Sequence, residues 1–329
     1  MNNWMSLFNQ IGEQISGLER AISTSTDAGF PIREHLLPEA LSVFPVETPI
    51  LNRLMPAALP GSGSAVSWRE VTGFNKVGGV FYTEGATPGD TQYTFSPKSA
   101  TYVLAGRRFG VTGFARAVGA SFEDALVRER QGAIVALKQD LEDAIFNADS
   151  ALNPLAFDGL LTQIDAGNGS WVDAIGGALA LTDIDTALRE TWEDGYEISW
   201  MAVNALQGKQ INDLVMAGAN HQITVVRTEV AIMAGGQRVT DYIHPVTGKA
   251  IPIIPSRNLA AGTMIGVAET LPVHVAGRQG QRGLWWDSLL DITEAEEGVS
   301  GDAVTYFLKT YCTLPFPSRR GSFKLTGIV

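Results

Sequence analysis

Cysteine is nearly absent. The single Cys312 in 329 residues excludes an internal disulfide and points to a reducing compartment. Within Tyr311-Cys312-Thr313 it reads as a small buried apolar residue rather than a nucleophile. No window approaches the roughly eighteen consecutive apolar residues of a membrane-spanning helix. Met1 to Gln10 lacks a basic stretch ahead of an apolar one, so no secretory signal is expected and a cytoplasm is the expected setting. Basic residues are scarce as well: 24 Lys and Arg stand against 35 Asp and Glu, a net charge of −11. That balance excludes a broad phosphate-binding face, since Arg107-Arg108 and Arg319-Arg320 are isolated pairs, read as solvated or salt-bridged.

Chemistry-bearing motifs are missing too. His35, His221, His244 and His274 are scattered, with no HExxH or His/Cys cluster to hold a metal. There is no GxSxG elbow, and Gly61-Ser62-Gly63-Ser64 lacks both the lysine and the following helix of a phosphate loop. Asp183 and Asp185 sit at a helix start, where acids complement the dipole. Asp165-Ala166-Gly167-Asn168-Gly169 lacks the alternating acids of a calcium loop. Glu294, Glu296 and Glu297 read as a solvated turn, and Trp285-Trp286 as a pair with at least one ring in the core. No catalytic, cofactor-binding or metal-binding residue is assigned, and no cofactor is expected.

What is present is long and extended. Trp68, Phe74, Phe81, Tyr82, Tyr93, Phe95 and Tyr102 alternate with polar residues at the period of strands, among eleven glycines and prolines between Gly61 and Gly110. The pattern predicts a two-stranded arm with turns. A lone hairpin is barely stable in water, so its apolar side needs a surface, most simply a neighbouring copy. Ser121 with Asp124 then caps a long helix whose stripe runs Phe122, Leu126, Ala133, Leu137, Leu141, Ile145 and Ala148, about 40 Å at 1.5 Å per residue. Asp124–Arg128 and Lys138–Glu142 are placed as i,i+4 pairs on its wet side.

Ahead of the arm, Trp4, Leu7, Phe8, Ile11, Ile15, Leu18 and Ile22 form an amphipathic helix too poor in basic residues for a membrane surface. Residues 23–60 are an irregular, proline-punctuated segment. After the long helix the pattern is mixed: Thr182 caps a helix to Glu193, Tyr196–Val203 is a strand, and Asn204 opens a helix ending near Gly218. Strands follow at Val239–His244, Lys249–Ile254, Met264–Ala268 and Leu271–Ala276. Two closing strands, Ala303–Thr313 and Ser322–Ile328, meet through Pro315, Pro317 and Arg319-Arg320-Gly321.

In this order the segments resemble the major capsid proteins of tailed bacteriophages with the Hong Kong 97 fold. The pieces that carry the resemblance are Glu47-Thr48-Pro49-Ile50, the extended stretch 61–110, the helix 121–148, and Asn153-Pro154 with Phe157-Asp158-Gly159-Leu160-Leu161. Further on come Ser199-Trp200-Met201-Ala202-Val203-Asn204, Gly248-Lys249-Ala250-Ile251-Pro252 and the strands around Leu314-Pro315. The resemblance implies an α+β fold with an N-terminal arm (1–60), an extended loop (61–110), a peripheral domain (111–160 and 287–329, with spine helix 121–148) and an axial domain (161–286).

It also implies a structural protein, not an enzyme, that self-assembles into hexamers and pentamers of an icosahedral head around double-stranded DNA, without sequence-specific DNA binding and without a membrane. Portal and scaffold proteins are implied partners, with a separate cement protein as a further one. Some relatives join subunits by a Lys–Asn link; Lys76 and Lys98 are the candidate donors, but Asn258 is the last asparagine, so non-covalent contacts are expected. The alternatives are an encapsulin-like nanocompartment shell and, from another class, a cytoplasmic enzyme with an unrecognised site.

Overall fold

Three sheets and one long helix organise the described residues. The computed structural model describes residues 47–55, 59–60, 63–78, 81–119, 125–217, 239–272, 282–300 and 302–329. The amphipathic segment at residues 4–22, the cap at Ser121, the Asp124–Arg128 pair, most of the expected strand at 271–276, and His35, His221 and His274 lie outside them.

The first described element is α1 (Pro49–Leu54), with proline in its first turn, where the missing N–H costs nothing. A short β1 (Leu59–Pro60) precedes two long strands, β2 (Ala65–Val77) and β3 (Asp90–Thr101), which among the described residues pair only with each other. The chain continues into β4 (Val103–Thr112), α2 (Gly113–Gly119) and the long α3 (Ala125–Asn147). On α3, Leu137, Leu141 and Ile145 are buried, the 3.6-residue stripe read from the sequence, and Phe146 joins them. Gly159 closes the turn after α3. Its N–H donates to the Ala148 carbonyl at 2.8 Å, and a Cβ there would lie 2.8 Å from the carbonyl oxygens of Ala144 and Phe146.

A four-stranded sheet, in the order β1-β10-β11-β4, lies against α3. Its long strands are β10 (Asp287–Ser300) and β11 (Ala303–Thr313), with β11 antiparallel to β4 from Ala303↔Thr112 to Cys312↔Val103. Strand β10 corrects the sequence reading. Glu294, Glu296 and Glu297 lie inside it rather than in a turn, because the backbone pairs with β11 through Glu294↔Leu308 and Glu296↔Tyr306; Glu294 also meets Arg130 of α3 and Glu297 meets Arg108 of β4.

The rest of the chain builds a six-stranded sheet, in the order β5-β12-β9-β6-β8-β7. Short α4 (Leu160–Gln163) leads to β5 (Trp171–Ala174), α5 (Leu181–Glu193), β6 (Trp200–Val203) and α6 (Ala205–Ala217). Then come β7 (Asp241–Ile243), β8 (Ala250–Pro255), β9 (Met264–Val267) and finally β12 (Phe323–Thr326). Thr182 does not cap α5; the helix begins a residue earlier, and Asp183 accepts the Ala180 N–H at 2.9 Å. The two closing strands do not meet, since β11 belongs to the four-stranded sheet and β12 runs between β5 and β9.

Alternation divides the burial. Trp200, Ala202, Ile265 and Val267 face one core together with α1, α3 and the four-stranded sheet, whereas Met201, Val203, Met264 and Phe323 face a second core with α5 and α6. Gly266 stands opposite Phe323, where a side chain would collide with the ring.

Candidate assembly surface

Among the described residues, the β2–β3 arm has no core of its own. Twelve residue pairs from Ala65↔Thr101 to Val77↔Asp90 hold it, with a bulge between Val71 and Gly73. At about 3.3 Å per residue, strands of this length extend about 40 Å. Directly opposed residues share a face, which sorts the side chains into two groups. One face carries Arg69, Val71, Tyr93, Phe95 and Pro97, all exposed; Tyr93 and Phe95 stack at 6.1 Å and are 50% and 56% exposed. The other carries Val66, Trp68, Glu70, Ser96 and Ala100, all half-buried, with Lys98 exposed. At the turn Phe81 is 97% exposed. Burying a side chain of this size is worth about 1.5–3 kcal/mol, so the arm carries unused association energy.

The half-buried face is fastened to the body. Trp68 meets Trp285 edge-on at 6.3 Å and donates its indole N–H to Glu70 at 2.9 Å, while Arg319 reaches the same Glu70 carboxylate at 3.4 Å. Where the arm joins β4, the Tyr102 hydroxyl donates to Asp287 Oδ1 at 2.6 Å and Trp285 Nε1 donates to Asp287 Oδ2 at 3.1 Å. Root and outward face thus use opposite sides of one ribbon.

The four-stranded sheet has a second outward face, on which Leu104 is exposed and Phe307, Lys309 and Tyr311 are half-buried. Phe109, Tyr306, Leu308 and Cys312 turn toward α3, and Arg107 meets Asp140 of that helix. The opposite parity turns away: Leu104↔Tyr311, Gly106↔Lys309 and Arg108↔Phe307. Leu104 is 75% exposed, and Lys309 lies over the Phe307 ring at 5.7 Å.

Other residues flagged in the sequence have structural surroundings. Burial pushes the Cys312 thiol up to about 12. Asp185 accepts the Tyr242 hydroxyl at 2.7 Å, and Asp165 accepts the Gly167 N–H at 2.9 Å. His244 Nδ1 accepts the N–H groups of Val246 and Thr247, and burial lowers its pKa. Trp286 is in the core, edge-on to Phe157 at 6.0 Å. Arg320 pairs with Asp194 at 3.7 Å. Among the described residues, no group of three or more His, Cys, Asp or Glu side chains is placed to hold a metal, and no helix is long and apolar enough to cross a membrane.

Glu142 corrects the sequence reading most sharply. Instead of pairing with Lys138 in solvent it is fully buried, accepting the N–H groups of Ile50 at 3.1 Å and Leu51 at 2.6 Å. Neither this clasp nor the Tyr102–Asp287 bond has a local sequence signal, because the bonded residues lie 92, 91 and 185 positions apart. The outward row on β11 did have one: Phe307 and Tyr311 alternate with Tyr306 and Leu308, and a strand apolar on both faces is normally covered on both.

Residues 15–272 match the family described as SU10 major capsid protein. No curated protein matches the sequence significantly. Among solved structures, the capsid protein of cyanophage A-1(L) superposes with a TM-score of 0.67 at 14% identity, covering 93% of this chain and 98% of that one. The capsid of the native GTA particle gives 0.64 at 10% identity, with the same coverages. The holo-SrpI encapsulin complex of Synechococcus elongatus PCC 7942 gives 0.58 at 14%, covering 95% of each chain. At these identities the superpositions establish the fold, and the family match supplies the role. The chain belongs to the SU10 major capsid protein family and is a phage major capsid protein with the Hong Kong 97 fold.

Proposed function

We propose that this protein self-assembles into hexamers and pentamers of an icosahedral phage head enclosing double-stranded DNA, each subunit laying its arm over an adjacent one. The observation that carries the reading is the arm itself: a ribbon of twelve opposed pairs, apolar on its outward side, with no covering element among the described residues. Many individually weak contacts become cooperative when a closed shell completes. The subunit's place is the virion, its assembly site the host cytoplasm, and its role structural rather than enzymatic.

The division into parts follows the same reading: N-terminal arm 1–60, extended loop 61–110, peripheral domain 111–160 and 287–329 around the spine helix, and axial domain 161–286. Strand β12 crosses from the closing segment into the axial sheet. A scaffold protein, a portal and a separate cement protein complete the set of partners. The net charge of −11 suits a container filled by packaging, because a basic lining would bind the entering DNA.

The test joins Ala65 to Thr101, which are register partners at the arm's root, through a short Gly-Ser turn. Electron microscopy of this variant, with and without scaffold, is expected to find soluble subunits and no shells. Normal shells from the shortened chain overturn the reading. Nuclease-protected DNA in particles from infected cells distinguishes a phage head from an encapsulin-like compartment, which would hold protein cargo. Denaturing electrophoresis of the particles should return monomers, since Lys98 has no asparagine acceptor in the closing strands.

A further inference from the structure

We propose that His244 is an acid-operated latch on the β7–β8 turn: its neutral ring holds residues 245–248 closed, and protonation of the ring releases them. The device belongs to the single subunit and goes beyond the shell reading without depending on it.

Strand β7 ends the order of the six-stranded sheet, and three pairs join it to β8: Asp241↔Pro252, Tyr242↔Ile251 and Ile243↔Ala250. So short a hairpin holds weakly by its ladder alone. The turn that closes it, Pro245 to Gly248, is exposed, with Val246 47% open to solvent. Beneath the turn His244 is 2% exposed. Its backbone N–H donates to the Lys249 carbonyl at 2.8 Å, and its carbonyl accepts the Gly248 N–H at 2.9 Å. Its Nδ1 accepts the N–H of Val246 at 3.1 Å and that of Thr247 at 3.3 Å.

Two donors aimed at Nδ1 fix the state of the ring. Only an imidazole whose proton sits on Nε2 can accept there, and a second proton would have to take the same Nδ1 lone pair. A charged His244 therefore keeps neither bond, and its new N–H would point at two others. Ring and turn must part. The far side of the ring offers the charge little in exchange: Nε2 is buried toward the Leu188 carbonyl of α5, with no well-formed hydrogen bond among the described residues.

The surrounding charges are divided. Asp185 of α5 and Glu197, ahead of β6, favour a charged ring, whereas Lys249 beside the turn opposes it. Both carboxylates are already engaged, Asp185 by the Tyr242 hydroxyl of β7 at 2.7 Å and Glu197 by Lys249 Nζ at 3.0 Å. Burial outweighs them and holds the His244 pKa below its ordinary 6.5. The folded chain thus takes this proton less readily than the unfolded one. The stability that the latch adds is fully present above 6.5 and is lost as pH falls through the lowered value.

Hydrogen exchange of the full-length chain from pH 8 to pH 4.5, read by mass spectrometry, tests the latch at two places. Exchange at the imidazole C2 carbon reports the protonation of His244, and amide exchange, corrected for the intrinsic rate, reports the closure of residues 245–249. The ring is expected to titrate below 6.5, and amide protection in the turn to fall about ten-fold through the same midpoint, the worth of two lost hydrogen bonds. Protection of β6, at residues 200–203, is expected to stay constant. His244→Asn places a carbonyl oxygen where Nδ1 stood and cannot titrate, so its turn should stay protected across the range. His244→Phe fills the space without an acceptor, and its turn should be open at every pH. A ring that titrates at or above 6.5, or that stays neutral down to pH 4.5, overturns the proposal. So does turn protection that ignores the state of the ring, or an acid loss in His244→Asn equal to that of wild type. Should His244→Phe fail to fold, wild type and His244→Asn decide between these outcomes.

Discussion

The carboxylate of Glu142, in the middle of the long helix, takes the backbone N–H of Leu51 at 2.6 Å, and that of Ile50 at 3.1 Å. Thr48 provides no side-chain cap for α1, so Glu142 supplies from another element what a capping residue would supply locally. Glu142→Ala is expected to lower stability by about 1–3 kcal/mol, the cost of leaving buried donors unmatched. Chemical denaturation of the subunit measures it, and an unchanged midpoint would contradict the clasp.

The same group should respond to pH. Burial lifts the Glu142 carboxyl above its ordinary 4.5, outweighing the lowering by the two N–H groups. The folded protein therefore holds this proton more tightly than the unfolded chain. The associated stability is fully present below 4.5 and is lost as pH rises through the raised value. Melting temperatures of wild type and Glu142→Gln, compared from pH 4.5 to 7.5, should show the wild-type advantage shrinking upward; a constant difference argues against it.

At the arm's root, Asp287 is nearly buried and accepts from both Tyr102 and Trp285. Asp287→Ala leaves two donors without their acceptor, at about 1–3 kcal/mol. It should also speed proteolysis within the turn at Phe81–Gly89 by loosening the ribbon's base. Cleavage rates equal to wild type would show that the root does not restrain the arm.

Trp286 is 1% exposed and packs edge-on against Phe157. Truncation to alanine should cost about 3–5 kcal/mol, as for other buried aromatic residues. A loss under 1 kcal/mol in equilibrium unfolding would mean that the site collapses around the gap.

Cys312 is fully buried, with its thiol pushed up to about 12. Since the thiolate is the reactive form, alkylation at pH 8 should proceed only after denaturation. Rapid labelling of native protein would contradict the burial.

The arm and the long helix were legible because each follows a local period, two along Tyr93 and Phe95, and 3.6 along Leu137, Leu141 and Ile145. Strand β10 was not. Its acids resemble a turn until Arg130 and Arg108, from two other elements, stand beside Glu294 and Glu297. Glu142 was misplaced for the same kind of reason: spacing along a helix identifies a neighbour, Lys138, but not the distant backbone that claims the side chain. The pairing of β12 was likewise invisible, since which sheet a four-residue strand enters depends on the open positions between β5 and β9. In the assembly surface, the arm was legible from its alternating aromatics, whereas Phe307 and Tyr311 signalled a two-sided strand without saying which of its faces α3 occupies.

The position of β12 also sets a schedule. Residues 323–326 are translated after every other strand of the six-stranded sheet, yet they fill an interior slot, touching Trp171–Ala174 on one side and Met264–Gly266 on the other. A nascent chain still on the ribosome carries a gap in that sheet, and the long sequence separation makes its closing a late step. The six-stranded sheet is therefore continuous only once β12 has been made, whatever the state of the arm and the long helix.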